Sequence, residues 1–85
     1  MYEYSLPPDI REAMAALPSS ALLPLLETLT LLQVAPWSGE PQNDRNPEGA
    51  VRRLLFGPEG AGQLVYVILE NTRQVEVVLL VWAGD

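Results

Sequence analysis

The 85-residue chain contains no cysteine, no histidine and no lysine. Without cysteine there is no disulfide framework, no thiolate metal site and no thiol nucleophile. Without histidine the commonest general base near neutral pH and the commonest nitrogen ligand for metals are gone. Any catalysis would have to rest on carboxylates, tyrosine, serine or threonine, or arginine. Lacking lysine, the chain sets five arginines against eleven acids, a net charge of −6. Nucleic-acid binders draw much of their affinity from displaced phosphate counterions, which needs a basic patch. The only local cluster of that sign is Arg45, Arg52 and Arg53. Long apolar runs are scarce too. The longest, residues 21–32, is interrupted by Pro24, Glu27, Thr28 and Thr30 and is too short to cross a bilayer. The Met-Tyr-Glu-Tyr start has neither a basic segment nor an apolar core of signal-peptide type. The expectation is a soluble cytoplasmic protein with no membrane partner.

Two further features carry less than they suggest. Glu40, Asp44 and Glu48 are three acids on one polar stretch, but without the spacing of a cation loop. Gly57 to Gly62 is rich in glycine yet opens no helix, so it reads as a hairpin loop and not as a phosphate cradle. No cofactor and no metal are expected.

What the sequence does contain is a strand rhythm. Residues 50–56, 63–70 and 74–82 are short runs rich in β-branched and aromatic side chains, separated by turn formers. They predict a three-stranded meander. Residues 2–6 predict a short first strand, ended by Pro7-Pro8. Residues 9–17 predict a helix with Ile10, Met14 and Leu17 on one face, closed by Pro18. A second helix, capped by Ser19 or Ser20, runs to about Ala35 with a stripe of Leu22, Leu25, Leu26, Leu29 and Leu32. Because proline is best tolerated in a first turn, Pro24 places the start of that helix near residues 21–23. Residues 36–49, with three prolines and two glycines, predict a surface loop. The sum is one α+β domain over residues 1–85, ordered β-α-α-β-β-β, with a helical hairpin on one face of a small, mostly antiparallel sheet.

Two expectations about function follow. Arg52 and Arg53 are neighbours on a strand, so they point to opposite faces and one layer cannot bury both. The last strand is apolar on both faces, with Val75, Val77, Leu79 and Val81 on one and Val78, Leu80 and Trp82 on the other. A helical hairpin covers only one face. The loop at 36–49, a second copy or a partner chain must therefore cover the other, which makes Val78, Leu80 and Trp82, with Trp37 from the loop, the expected partner-binding residues.

In layout over nearly its whole length, and in sequence at Val51-Arg52-Arg53-Leu54, Leu64-Val65-Tyr66-Val67-Ile68 and residues 75–81, the chain resembles the RelE/ParE toxin superfamily. The resemblance implies the toxin half of a bacterial type II toxin–antitoxin pair. Its partner would be an antitoxin, and it would act by ribosome-dependent cleavage of mRNA or by binding a host target. It also implies Arg52, Arg53 and Tyr66 as the catalytic set, the arginines holding phosphate. Two departures point to weak or lost cleavage. Gln63 stands where that superfamily usually has an arginine, and only Ala83, Gly84 and Asp85 follow Trp82 where it has a basic segment. The alternative is a non-catalytic interaction module or small dimer.

Overall fold

The computed structural model describes residues 1–84. Strand β1 spans Glu3–Ser5, helix α1 Pro8–Ala15, helix α2 Ser19–Val34, strand β2 Glu40–Pro41, β3 Val51–Phe56, β4 Gly62–Leu69 and β5 Gln74–Trp82. The five strands form one sheet in the order β1-β5-β4-β3-β2. Neighbours run antiparallel except β1, which pairs parallel to β5. The expected α+β layout is the one observed, with three adjustments.

The first concerns α2, which starts at Ser19 rather than near residues 21–23. Pro18 precedes its first turn, Ala21 N–H bonds to the Pro18 carbonyl at 2.9 Å, and no side chain caps it. Pro24 therefore lies inside the helix and deletes one ladder bond. Starting early buries Ala21 completely, which favours the longer helix. The buried face comprises Ala21, Leu25, Thr28, Leu29 and Leu32, whereas Leu22 and Leu26 are exposed. The second adjustment is in residues 36–49. They contain a 3-10 turn at Pro36–Ser38 and the two-residue strand β2, which pairs with β3.

The third adjustment decides which faces are available. Directly paired residues share a face of a sheet. Across the strands, the rows Tyr4–Val75–Ile68, Val77–Tyr66–Arg52, Leu80–Leu64–Leu54 and Trp82–Gly62–Phe56 stand on the helix side. With Ile10 of α1 and Leu25, Leu29 and Leu32 of α2 they make the core. Between β4 and β5, Val65 pairs with Leu79 but Tyr66 pairs with Val77, so Val78 is an extra residue, a β-bulge. The bulge reverses the alternation. Leu80 and Trp82 join Val75 and Val77 on the helix side, while Leu79 and Val81 turn outward. The simple period of two put Leu80 and Trp82 on the wrong face.

Glycine at position 62 is required by this core. A Cβ there would enter the ring of Phe56, and the ring of Phe56 reaches over the glycine to within 5.8 Å of the Trp82 ring centroid.

Candidate functional site

Two regions collect the chain's polar chemistry: a knot on the helix side of β3, and the opposite, uncovered face of the sheet.

The knot is built on Arg52, whose backbone belongs to β3 and whose side chain is turned inward. Only 9% of the residue is accessible. Its guanidinium donates to the carbonyls of Gly49 (2.9 Å), Gly39 (3.1 Å), Trp37 (3.4 Å) and Pro47 (2.8 Å). It also lies 5.0 Å from the centroid of the Trp37 ring. Among the described residues no carboxylate pairs with it. A buried charge is tolerated only when its donors are satisfied, and four carbonyls satisfy these. Tyr66 stands beside it in the same row, fully buried, and donates its hydroxyl to the Pro36 carbonyl at 2.6 Å. Burial pushes this phenol up to about 12, with the nearby Arg52 charge pulling the other way. The space is tight: a Cβ at Gly39 would meet the Tyr66 hydroxyl and, at 2.9 Å, the Arg53 carbonyl.

Arg52 and Tyr66 thus bolt residues 36–49 to the sheet. In this arrangement the guanidinium and the hydroxyl are both engaged by loop carbonyls. A strand position fixes which face a side chain takes but not what the facing loop does with it, and here the loop meets both groups with carbonyls. Neither arginine pairs with Glu70 or Glu76, and the acid opposite Arg53 across the strands is Glu40, 4.0 Å away. Trp37 is pinned as well, its indole N–H donating to Glu70 Oε1 at 2.9 Å while Tyr2 donates to the same oxygen at 2.7 Å. Those two donors hold the Glu70 carboxyl below its ordinary range. Arg73 closes the group, 3.2 Å from Glu70 and 5.3 Å from the Tyr2 ring. This Tyr2–Trp37–Glu70–Arg73 cluster joins the chain start, the loop and the β4–β5 turn. Tyr2, Trp37 and the Glu70–Arg73 pair are far apart in sequence and carried no common signal.

The uncovered face carries Val51, Arg53 and Leu55 from β3, Gln63, Val65 and Val67 from β4, Leu79 and Val81 from β5, and Glu3, Glu76 and Glu40 around them. Val51, Leu55, Leu79 and Val81 are exposed. The loop does not cover this face, since it is tied down on the helix side through Arg52. Arg53 is the one basic side chain the strands place here. It donates to the Pro41 carbonyl (3.1 Å) and Gln42 Oε1 (3.2 Å) and lies 4.0 Å from Glu40. Of the expected partner-binding residues, Val78 is exposed at the bulge, Trp37 is partly exposed, and Leu80 and Trp82 pack against the core. Leu55, Leu79 and Val81 are exposed on the open face. Placing Leu79 and Val81 there from sequence would have required locating the bulge, whereas Leu55 follows from the alternation of β3. No group of acids that could hold a metal occurs among the described residues, and no helix is long and apolar enough to cross a membrane.

No protein-family model matches the chain, and no curated protein sequence matches it. Among solved structures the chain is similar to a mutant of the E. coli toxin RelE, determined in complex with an antitoxin RelBc peptide. The likeness covers 99% of this chain and 85% of that one, with a TM-score of 0.76 and 14% sequence identity. The fold is therefore RelE-like.

Proposed function

We propose that the chain is the toxin-like component of a bacterial toxin–antitoxin pair that acts by binding, with RNA cleavage weak or lost. The carrying observation is the open sheet face. In a RelE-like fold it presents an apolar surface with Arg53 as its one cation, while Arg52 and Tyr66 are committed to holding a loop. Phosphoryl transfer needs positive charge and proton-transfer groups aimed at the scissile phosphate. One arginine, already shared among Pro41, Gln42 and Glu40, supplies little of either. An apolar face ringed by polar residues suits protein recognition, and the fold neighbour was solved with an antitoxin peptide. An antitoxin segment over Leu55, Leu79 and Val81 would mask the face until released.

The test is induced expression in a bacterial host, with transcript ends mapped on translating ribosomes. Growth arrest without new transcript ends is the expected result, abolished by Leu79→Lys. Codon-dependent cuts that disappear in Arg53→Ala would establish a nuclease instead. Unaffected growth would favour the second reading, an interaction module without toxin activity, which the net charge of −6 also suits.

A further inference from the structure

The open face of the sheet has a shape. Val65 of β4 points to this face, yet it is only 4% accessible. On one side of it stand the exposed Leu79 and Val81 of β5, on the other the exposed Val51 and Leu55 of β3. β4 is therefore the floor of a trough and its two neighbours are the walls. Those walls are about 10 Å apart, twice the spacing of strands in a sheet. The outward positions of β4 run from Gln63 to Leu69, a length of about 20 Å. An α-helix of about 14 residues has that length, and its width of about 10 Å matches the gap. An extended segment would instead seek an edge of the sheet, where unpaired backbone groups lie.

Charge is distributed unevenly along this trough. Midway, Arg53 is answered by Glu40 at 4.0 Å. Towards the β4–β5 turn, Glu76 stands on β5 and Glu3 on β1, both exposed, on adjacent strands and two positions out of step. Like charges so placed repel each other. No cation among the described residues pairs with either. The trough is apolar at its hairpin end and negative, without compensation, at the other.

That pattern selects the occupant. An anionic lipid surface or a nucleic acid would be repelled by a chain of net charge −6. A second copy brings the same acids and no lysine, its Arg52 is buried, and its Arg53 and Arg73 are already paired. We infer that the trough receives a basic amphipathic helix of a partner protein, its apolar stripe on Val65, Leu79 and Leu55 and its lysines or arginines over Glu3 and Glu76. The inference rests on the binding role proposed above for this face and adds the chemistry of the binder.

Two labelled helical peptides of about 14 residues test it. They share one leucine stripe and carry either lysines or glutamates at one end. By fluorescence anisotropy near physiological salt, the lysine peptide should bind the chain at least tenfold more tightly. Glu3→Gln with Glu76→Gln should erase most of that preference, and Leu79→Asn or Leu55→Asn should weaken both peptides. Glu12→Gln with Glu27→Gln, on the helix side, removes as much charge and should change nothing. Equal affinity of the two peptides would overturn the inference. So would a lysine preference that both glutamine pairs reduce alike, the mark of general attraction to an acidic chain. Self-association that Leu79→Asn abolishes would assign the trough to a second copy and overturn it as well. Growth arrest on expression is read separately: arrest without a lysine preference sinks this inference alone, and a lysine preference without arrest sinks only the toxin reading.

Discussion

Arg52 and Arg53 are identical in chemistry and adjacent in sequence, and the pleat of β3 gives them opposite tasks. Arg52 is an internal bracket: its planar fork reaches four carbonyls spread over residues 37–49, geometry that a lysine ammonium on a flexible stem cannot reproduce. Hydrogen bonds to a charged group contribute about 1.5–3 kcal/mol each, less the cost of desolvating the guanidinium. Arg52→Ala should therefore destabilise the domain by about 3 kcal/mol and free Trp37, raising its accessibility to a soluble quencher. Arg52→Lys should recover less than half of the loss. Arg53 stands on the open face with a 4.0 Å ion pair that solvent screens, so Arg53→Ala should cost under about 1 kcal/mol. Urea unfolding of the three variants checks the ranking. Equal losses at the two positions would contradict the division of labour. Sequence alone established that the two side chains part ways, because that follows from strand geometry. Which of them becomes structural depends on carbonyls that a proline-rich loop of no recognisable periodicity delivers from 3 to 15 residues away.

At the scale of elements, the strands were legible because each run is bounded by turn formers and none relies on a partner to define its ends. The long residues 36–49 hid β2, since a two-residue edge strand containing Pro41 has no pattern of its own and exists only through β3. Which face of α2 is buried was hidden for the opposite reason: a helix with one charged residue in 16 satisfies several periodicities, and only the sheet selects one. The bulge at Val78 had the largest consequence. It was invisible because residues 77–82 are apolar at every position, so the sequence is compatible with either register. The bulge leads to a direct expectation. Deleting Val78 removes the extra residue but leaves Leu80 and Trp82 inward and Leu79 and Val81 outward, the regular alternation that a bulge-free pair would have. The deletion should fold, at a cost of about 1–2 kcal/mol from lost local twist and disturbed neighbours. Inserting an alanine after Leu79 should instead drive Leu80 and Trp82 to the open face and prevent folding. Thermal melts followed by near-ultraviolet circular dichroism, which reports Trp82 packed against Phe56, separate the two outcomes. A deletion variant without a cooperative melt would show that the bulge is needed for the fold itself.

For the whole molecule, an exposed apolar sheet face belongs to a small domain whose surface carries a net charge of −6. The charge keeps copies apart and draws a basic segment in, so ionic strength decides the balance. At low salt the Debye length is about 30 Å, comparable with the 35 Å long axis of the domain, and a basic segment feels the field of the whole chain. Near physiological salt it falls to about 8 Å, and only charges at the contact still matter. On the open face those are Glu3 and Glu76, since Arg53 and Glu40 answer each other. Binding of a lysine-bearing amphipathic helix should therefore weaken as salt rises, by about tenfold between 10 mM and 500 mM sodium chloride, and Glu3→Gln with Glu76→Gln should reduce that salt dependence. The sign is the informative part. A contact held by apolar burial alone does not weaken as salt is added, whereas here screening removes an attraction and leaves apolar burial to hold the complex. Fluorescence anisotropy at the two salt concentrations measures it, and a complex that tightens as salt is added would mean that apolar burial, not the glutamates of β1 and β5, selects the partner.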